Sequence, residues 1–335
     1  MSQPLVQIRD LRKEFPVKGG ILRRTVGTVG AVTGVDLEIA KGDTLGLVGE
    51  SGCGKTTLGR MIVRLLEPTS GTIEFMGEDV THLKGKELTK FHQDVQIVFQ
   101  DPYSSLDPRT PVGNSIAEGL RIHDVGDRDE RRRKVQEMLE LVGLGRRHAD
   151  RYPHEFSGGQ RQRIGIARAL ILRPSLVVAD EPVSALDVSV QAQVLNLLSE
   201  LQSELDLTLL FIAHNLAVVE HISDRVAVMY LGRIVELTDR DTLYREPAHP
   251  YTEALLSAIP IPDPDRPRSR VRLEGEIPSP LNPPPGCRFH PRCPISRPGL
   301  CDFEDPGLMK VHGNDDHVAA CLLRAGDRAE NQTTG

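Results

Sequence analysis

The chain contains no tryptophan, and aromatic residues make up only 4% of its 335 positions. It also lacks any apolar run approaching the ~18 residues that a bilayer-spanning helix needs. Basic charge is not in excess either, since the formal net charge is −6. A nucleic-acid binder normally presents a basic field, so this balance argues against one. Arg23-Arg24 and Arg131-Arg132-Arg133 are local exceptions. The triplet sits beside Asp127, Asp129 and Glu130 and reads as a solvated helix face. Met1-Ser2-Gln3-Pro4 leads straight into a strand-like run, so no secretory leader is expected. No repeat of solenoid period occurs. The 39% apolar and 26% charged residues that remain are those of a soluble globular protein. The expected location is the cytosol, or the cytosolic face of a membrane.

Gly49-Glu50-Ser51-Gly52-Cys53-Gly54-Lys55-Thr56-Thr57 is the stretch around which the chain is organised. It follows the apolar run Leu45-Gly46-Leu47-Val48 and precedes a helical pattern, Leu58, Met61, Ile62 and Leu65. Strand, glycine-rich loop, then helix is the context in which G-x-x-x-x-G-K-[ST] means phosphate binding. The glycines let successive backbone N–H groups point at one anion, and the helix start adds its positive dipole end. In such a loop Lys55 reaches the β- and γ-phosphates and Thr56 ligates Mg²⁺.

Short apolar runs alternate with helical patterns along the rest of the chain. Strands are expected over 5–11, 31–39, 72–75, 95–99, 175–179, 207–213, 226–229 and 233–237. The glycine-containing stretch from Lys18 to Gly30 reads as a loop or hairpin insertion. Helical spacing of Ile116, Leu120, Val135, Met138, Leu139 and Val142 predicts a helical subdomain over about 101–170, and 190–205 reads as a further helix. This alternation implies an α/β fold with a parallel, largely covered sheet. From Pro260 the composition turns to Pro, Arg and Asp, with four prolines between Pro280 and Pro285. A domain built on the phosphate loop is therefore expected over 1–258, and a proline-rich arm with a small four-cysteine extension over 259–335.

Two further features carry chemistry. Asp180-Glu181 closes the apolar strand Leu176-Val177-Val178-Ala179. There Asp180 suits the Mg²⁺ shell, and Glu181 could orient or deprotonate an attacking water. Ser157-Gly158-Gly159-Gln160 is a second phosphate-type loop at a helix start. Because one triphosphate does not need two such loops from one subunit, this one is expected to close over a nucleotide held by another subunit. A plain helix cap is the bland alternative.

Gly49–Thr57, Phe156–Gln160, Val177–Glu181, Ser184-Ala185-Leu186-Asp187 and His214 stand in the order of an ABC-transporter ATPase subunit, and residues 5–258 resemble one. The resemblance implies a phosphate-loop ATPase core with an antiparallel β subdomain and an inserted helical subdomain. It implies ATP and Mg²⁺ as cofactors. Gln100 resembles the glutamine that senses Mg²⁺ and water. Ser157, Gly158, Gly159 and Gln160 resemble the signature motif, which contacts the γ-phosphate bound by the opposite subunit. Asp187 ends the loop that crosses the dimer interface. His214 resembles the switch histidine, although Asn215 follows it where Asp is frequent. Phe15 resembles the aromatic that stacks on adenine, with a core phenylalanine as the alternative. Glu181, His214 and Gln100 are thus the expected catalytic group.

Phe99–Arg109, Ala185–Gln191, His249-Pro250-Tyr251-Thr252 and Pro278–Pro294 are similar to the oligopeptide/dipeptide importer ATPases, a branch whose features nickel and glutathione importers share. The branch implies energised import of peptides through two transmembrane permease subunits, with an extracytoplasmic binding protein. It also implies a second ATPase, as a heterodimer or alternatively a homodimer. The permeases are expected to be gripped around Tyr103–Leu120. A soluble ATPase acting on nucleic acid or ribosomes is the rival. Against it, ribosome-acting members usually carry two cassettes, and the ~100 residues between phosphate loop and signature are too few for a DNA-repair coiled coil.

Four cysteines in the extension, Cys287, Cys293, Cys301 and Cys321, fit an iron–sulfur cluster, tetrahedral zinc or free structural thiols. The tight C-x₂₋₄-C pairs usual for zinc are missing. Some members of the dipeptide branch carry a [4Fe–4S] cluster here, so the resemblance favours that group.

Overall fold

Two sheets divide the strands of the computed structural model, which describes residues 3–19, 24–101, 106–259 and 273–325. In chain order the strands are β1 (Val6–Gly19), β2 (Arg24–Ile39), β3 (Thr44–Val48), β4 (Ser70–Phe75), β5 (Glu78–Asp79) and β6 (Val95–Val98). They continue as β7 (Leu176–Asp180), β8 (Thr208–Ala213), β9 (Arg225–Tyr230), β10 (Arg233–Asp239), β11 (Met309–Val311) and β12 (Asn314–Ala319). The smaller sheet has the order β2-β1-β4-β5, and its pairs are antiparallel. The larger runs β11-β12-β10-β9-β3-β8-β7-β6. Its strands from β9 to β6 are parallel, and β10, β12 and β11 add an antiparallel edge.

The helices are α1 (Lys55–Ile62), α2 (Gly85–Asp94), α3 (Val112–Ile116), α4 (Glu118–Ile122), α5 (Arg128–Leu141), α6 (Gly158–Leu170), α7 (Val188–Leu205), α8 (Leu216–Ile222), α9 (Arg240–Arg245) and α10 (Pro250–Ser257). Local chemistry starts several of them. Asp127 accepts from the N–H groups of Asp129 and Glu130, both at 2.9 Å, to cap α5.

The parallel strands separate two cores, because successive side chains of a strand point to opposite faces. Leu209, Phe211 and Ala213 of β8 join one core, with the helical subdomain. Leu210 and Ile212 join the other, against the antiparallel sheet. A strand covered on both faces carries no alternation, which is why these runs read as continuously apolar.

The expected α/β fold is present, with some differences of detail. Of the stretch expected as a loop or hairpin over 18–30, residues 18–19 and 24–30 lie on the paired strands β1 and β2, as the hairpin reading has it, and 20–23 lie outside the described residues. The helix expected from 190 begins at Val188. Of the acidic neighbours of the Arg131 triplet, Asp129 and Glu130 lie on α5 and Asp127 caps it, and Arg131 meets Asp124 ahead of the helix at 3.1 Å. Part of the expected permease surface, 102–105, and part of the arm, 260–272, lie outside the described residues.

The extension also does more than follow the ATPase core. Its β12 pairs with β10, Glu236 opposite Ala319 and Leu237 opposite Val318. Glu236 is fully buried and accepts from the N–H groups of Ala248 (2.7 Å) and His249 (2.9 Å). Its carboxylate also meets His317 Nε2 of β12 at 2.8 Å. These partners hold the Glu236 carboxyl below its ordinary range although burial opposes them.

Candidate functional site

The phosphate loop bridges β3 and α1. Its first and last glycines are required by close approach as well as by backbone angle. At Gly49 (φ 156°) an added Cβ would lie 2.1 Å from the Met229 carbonyl, and at Gly54 (φ 112°) 2.2 Å from the Ala31 carbonyl. Ser51 and Gly52 are exposed, Thr57 is half-buried, and the Cys53 thiol is buried and pushed upward in pKa by that burial. Lys55 is buried, and its Nζ donates to the carbonyls of Gly49 (2.7 Å) and Glu50 (3.1 Å). Its ammonium is therefore held by the same loop that would present it to a phosphate.

The parallel sheet brings four distant residues to the mouth of this loop. The Thr56 hydroxyl donates to Asp180 Oδ1 at 2.8 Å. Asp180 is 2% exposed, and burial raises its carboxyl pKa above the usual range. A buried carboxylate raised by burial, beside a hydroxyl, is a donor pair that fits a divalent cation. Glu181, one residue on, adopts a left-handed backbone (φ 47°), a conformation non-glycine residues take at a cost. Gln100 Nε2 donates to Glu181 Oε2 at 3.1 Å, and His214 Nδ1 lies 3.2 Å from the same oxygen. The Ser184 hydroxyl donates to the Glu181 carbonyl at 3.1 Å. Gln100, Glu181 and His214, which lie on three different β-strand ends in the sequence, thus meet at one carboxylate.

The second glycine loop stands at the start of α6. Ser157 Oγ accepts from the Gln160 N–H (3.3 Å), and Gln160 Oε1 accepts from the Ser157 N–H (3.0 Å), a reciprocal capping box. Gly159 is a packing requirement, because a Cβ there would lie 2.3 Å from Val190 of α7. Ser157 is exposed, as are Asp187 and Val188, the latter by 82%. Phe15 is 39% exposed on the β1–β2 hairpin, with Lys13 Nζ 5.3 Å from its ring centre, so it is not a core phenylalanine.

Cys287, Cys293, Cys301 and Cys321 line one small cavity. Burial pushes the Cys287 thiol up to about 12 and also raises Cys293 and Cys321. No group of three or more His, Cys, Asp or Glu among the described residues is arranged to hold a metal ion. The expected ligand set is therefore not formed here. At Cys287, Cys293 and Cys321 burial opposes the thiolate that a metal would need.

Two residues at this site escape sequence reasoning. The Tyr251 hydroxyl accepts from the Glu50 N–H at 2.8 Å, and Arg292 forks onto the Glu50 carboxylate at 2.9 and 3.1 Å. His249–Thr252 and Arg292-Cys293-Pro294 are visible as branch markers. Their partner, 201 and 242 residues upstream, is not.

Fold and site define the class as a phosphate-loop ATPase. An ABC transporter family model matches residues 32–184, and the model of the oligopeptide/dipeptide transporter C-terminal region matches 235–301. The chain is 52% identical over 325 residues to the oligopeptide transport ATP-binding protein AppF of Bacillus subtilis (strain 168), covering 96% of this chain and 98% of that one. It is 54% identical over 323 residues to the putative oligopeptide transport ATP-binding protein YkfD of the same organism, covering 96% and 95%. Among solved structures, the dimeric ATP-binding cassette MJ0796 bound to ADP and Pi is similar with a TM-score of 0.62 and 29% identity, over 70% of this chain and 98% of that one. The chain belongs to the ABC transporter family, as an ATP-binding subunit carrying the oligopeptide/dipeptide transporter C-terminal region.

Proposed function

We propose that this subunit binds and hydrolyses ATP to energise import of oligopeptides or dipeptides through partner permeases. The observation that carries the hydrolytic part is the convergence of Gln100 and His214 on the Glu181 carboxylate beside the Thr56–Asp180 pair. In this reading Glu181 orients and deprotonates water, Gln100 and His214 hold its carboxylate in place, and Lys55 leaves the loop carbonyls for the β- and γ-phosphates. Thr56 and Asp180 would hold Mg²⁺, which when bound neutralises charge on the phosphates. The peptide cargo is supported by the relatives, which are oligopeptide transport ATP-binding proteins.

The catalytic unit is a dimer, Ser157–Gln160 of each subunit completing the partner's site. The exposure of Ser157, Asp187 and Val188 supports this. No described helix is long and apolar enough to cross a membrane; the transport role of the relatives supports spanning partners and a peripheral position on the cytoplasmic face. A cleft of about 420 Å³ between the core and the helical subdomain, lined by Leu65, His92, Phe99, Glu118, Ile122 and Leu172, suits a permease segment. Leu65 and Ile122 are 52% and 63% exposed there. The division of labour places the motor in 1–258 and the arm and extension in 259–335.

In the assembled transporter Glu181→Gln should retain ATP binding, trap a closed dimer and lower turnover roughly 100-fold or more, with peptide uptake lost. Undiminished turnover would remove Glu181 from the mechanism.

The four extension thiols would hold an iron–sulfur cluster. Their shared cavity supports this reading, while the lack of a metal-holding group among the described residues counts against cluster and zinc alike. Loading would displace thiol protons, since burial keeps Cys287, Cys293 and Cys321 protonated. Anaerobic purification should give coloured protein with iron and acid-labile sulfide; colourless protein with stoichiometric zinc overturns it.

A further inference from the structure

The second residue of the phosphate loop is held from outside the loop. Glu50 Oε2 accepts from one terminal nitrogen of Arg292 at 2.9 Å, and Oε1 accepts from the other at 3.1 Å. A guanidinium fork on a carboxylate fixes orientation as well as distance. The Arg292 side chain is 8% exposed, so solvent screens the pair little. The main chain of the same residue is anchored too, because the Glu50 N–H donates to the Tyr251 hydroxyl.

The anchor is rigid. Tyr251 is fully buried, and its ring packs on Tyr230 at 4.7 Å and Phe289 at 5.4 Å. A second strut reaches the middle of the loop. Arg288 of the extension donates to the Leu231 carbonyl, and the next residue, Gly232, donates its N–H to the Cys53 carbonyl at 2.8 Å. Lys55 links this bracing to the ligand. A phosphate must draw its Nζ away from the Glu50 carbonyl, so the orientation of that peptide unit governs what Lys55 gives up.

We propose that Arg292 is a positioning residue for nucleotide binding, the C-terminal extension clamping the phosphate loop through Glu50 and so raising its affinity for triphosphate. The clamp rests on the reading of residues 49–57 as an ATP cradle. Its N–H groups bind an anion only when they point to one place, and a loop that is ordered beforehand loses less freedom on binding.

The test is titration of the full chain with a fluorescent ATP analogue and Mg²⁺, using Arg292→Ala, Arg292→Lys, Glu50→Gln and the double variant Glu50→Gln/Arg292→Ala. Arg292→Ala should weaken binding about 10-fold, with Arg292→Lys between it and the parent, because an ammonium cannot fork. The double variant should bind no more weakly than Arg292→Ala, since the two residues act as one unit. KM for ATP should rise while kcat stays within about two-fold, and loop amides 50–55 should exchange hydrogen faster while those of β3 and β8 do not. Affinity within two-fold of the parent, with loop protection unchanged, overturns the clamp. If Arg292→Ala does not fold, parent-like affinity in both Arg292→Lys and Glu50→Gln overturns it. A parent chain that binds no analogue, and that Lys55→Ala leaves unchanged, overturns the ATP cradle and the clamp with it.

Discussion

The two glycine-rich helix starts, Gly49–Thr57 and Ser157–Gln160, look alike in sequence and are built differently. The first has left-handed glycines pressed against two foreign carbonyls, a buried lysine and an acidic strand end at its mouth. The second is a capping box whose serine and glutamine already satisfy each other, and its serine lies exposed with no lysine in the loop. A loop of the first kind can hold an anion within its own chain. A loop of the second kind offers a few donors on a surface and needs another molecule to bring the phosphate to it.

Substitutions that separate the two loops test this contrast. The largest effect belongs to Lys55→Ala, which should lower nucleotide affinity by roughly 100-fold or more in a titration of the isolated chain, since it removes a buried ammonium from the cradle. Ser157→Arg should leave that affinity within about two-fold yet cut ATP turnover about 100-fold in the assembled dimer, where it blocks the partner's site. If Ser157→Arg weakens binding as much as Lys55→Ala does, both loops serve one nucleotide within one chain and the contrast fails.

A third effect, on stability, concerns the frame that carries the first loop's anchors. His249 is buried, its Nδ1 accepts from the Tyr251 N–H at 3.1 Å, and burial lowers its pKa to about 4 from an ordinary 6.5. The folded state therefore disfavours the proton that the unfolded chain accepts. Stability contributed by neutral His249 is complete above pH 6.5 and is lost as pH falls from there towards 4, by up to ~3 kcal/mol. His249→Asn keeps an acceptor at the cap and removes this titration. Thermal melts at pH 7.5 and 5.0 should then differ less for the variant than for the parent. An identical pH dependence would show that His249 is protonated in the folded chain.

Much of this was legible in the sequence because the relevant physics is local. A buried strand needs a continuous apolar run, so Leu45–Val48, Leu176–Ala179 and Leu207–Ala213 announce themselves, and the turn from such a strand into a helix dictates its glycines. Asp180 and Glu181 are readable for the same reason, as the end of one such strand. Contacts between separate strand ends are different. That Gln100 and His214 meet at Glu181 comes from the resemblance and from sheet order, not from spacing. Arg292 on Glu50 has no local sign at all. It depends on a tertiary fold-back over 242 residues, and an arginine beside a cysteine reads first as part of the cysteine region. The cysteine spacing, conversely, suggested a ligand set that does not form among the described residues, where the Cys287 thiol is buried and held protonated.

The pairing of β12 with β10 also bears on how the protein is made. Residues 314–319 leave the ribosome well after β10, yet they cover the edge of that strand. Until they arrive, β10 presents unpaired backbone groups, and the buried Glu236 lacks its histidine. A nascent chain halted before residue 309 therefore carries an open sheet edge, the kind of surface through which incomplete chains aggregate, and synthesis through residue 319 closes it from within.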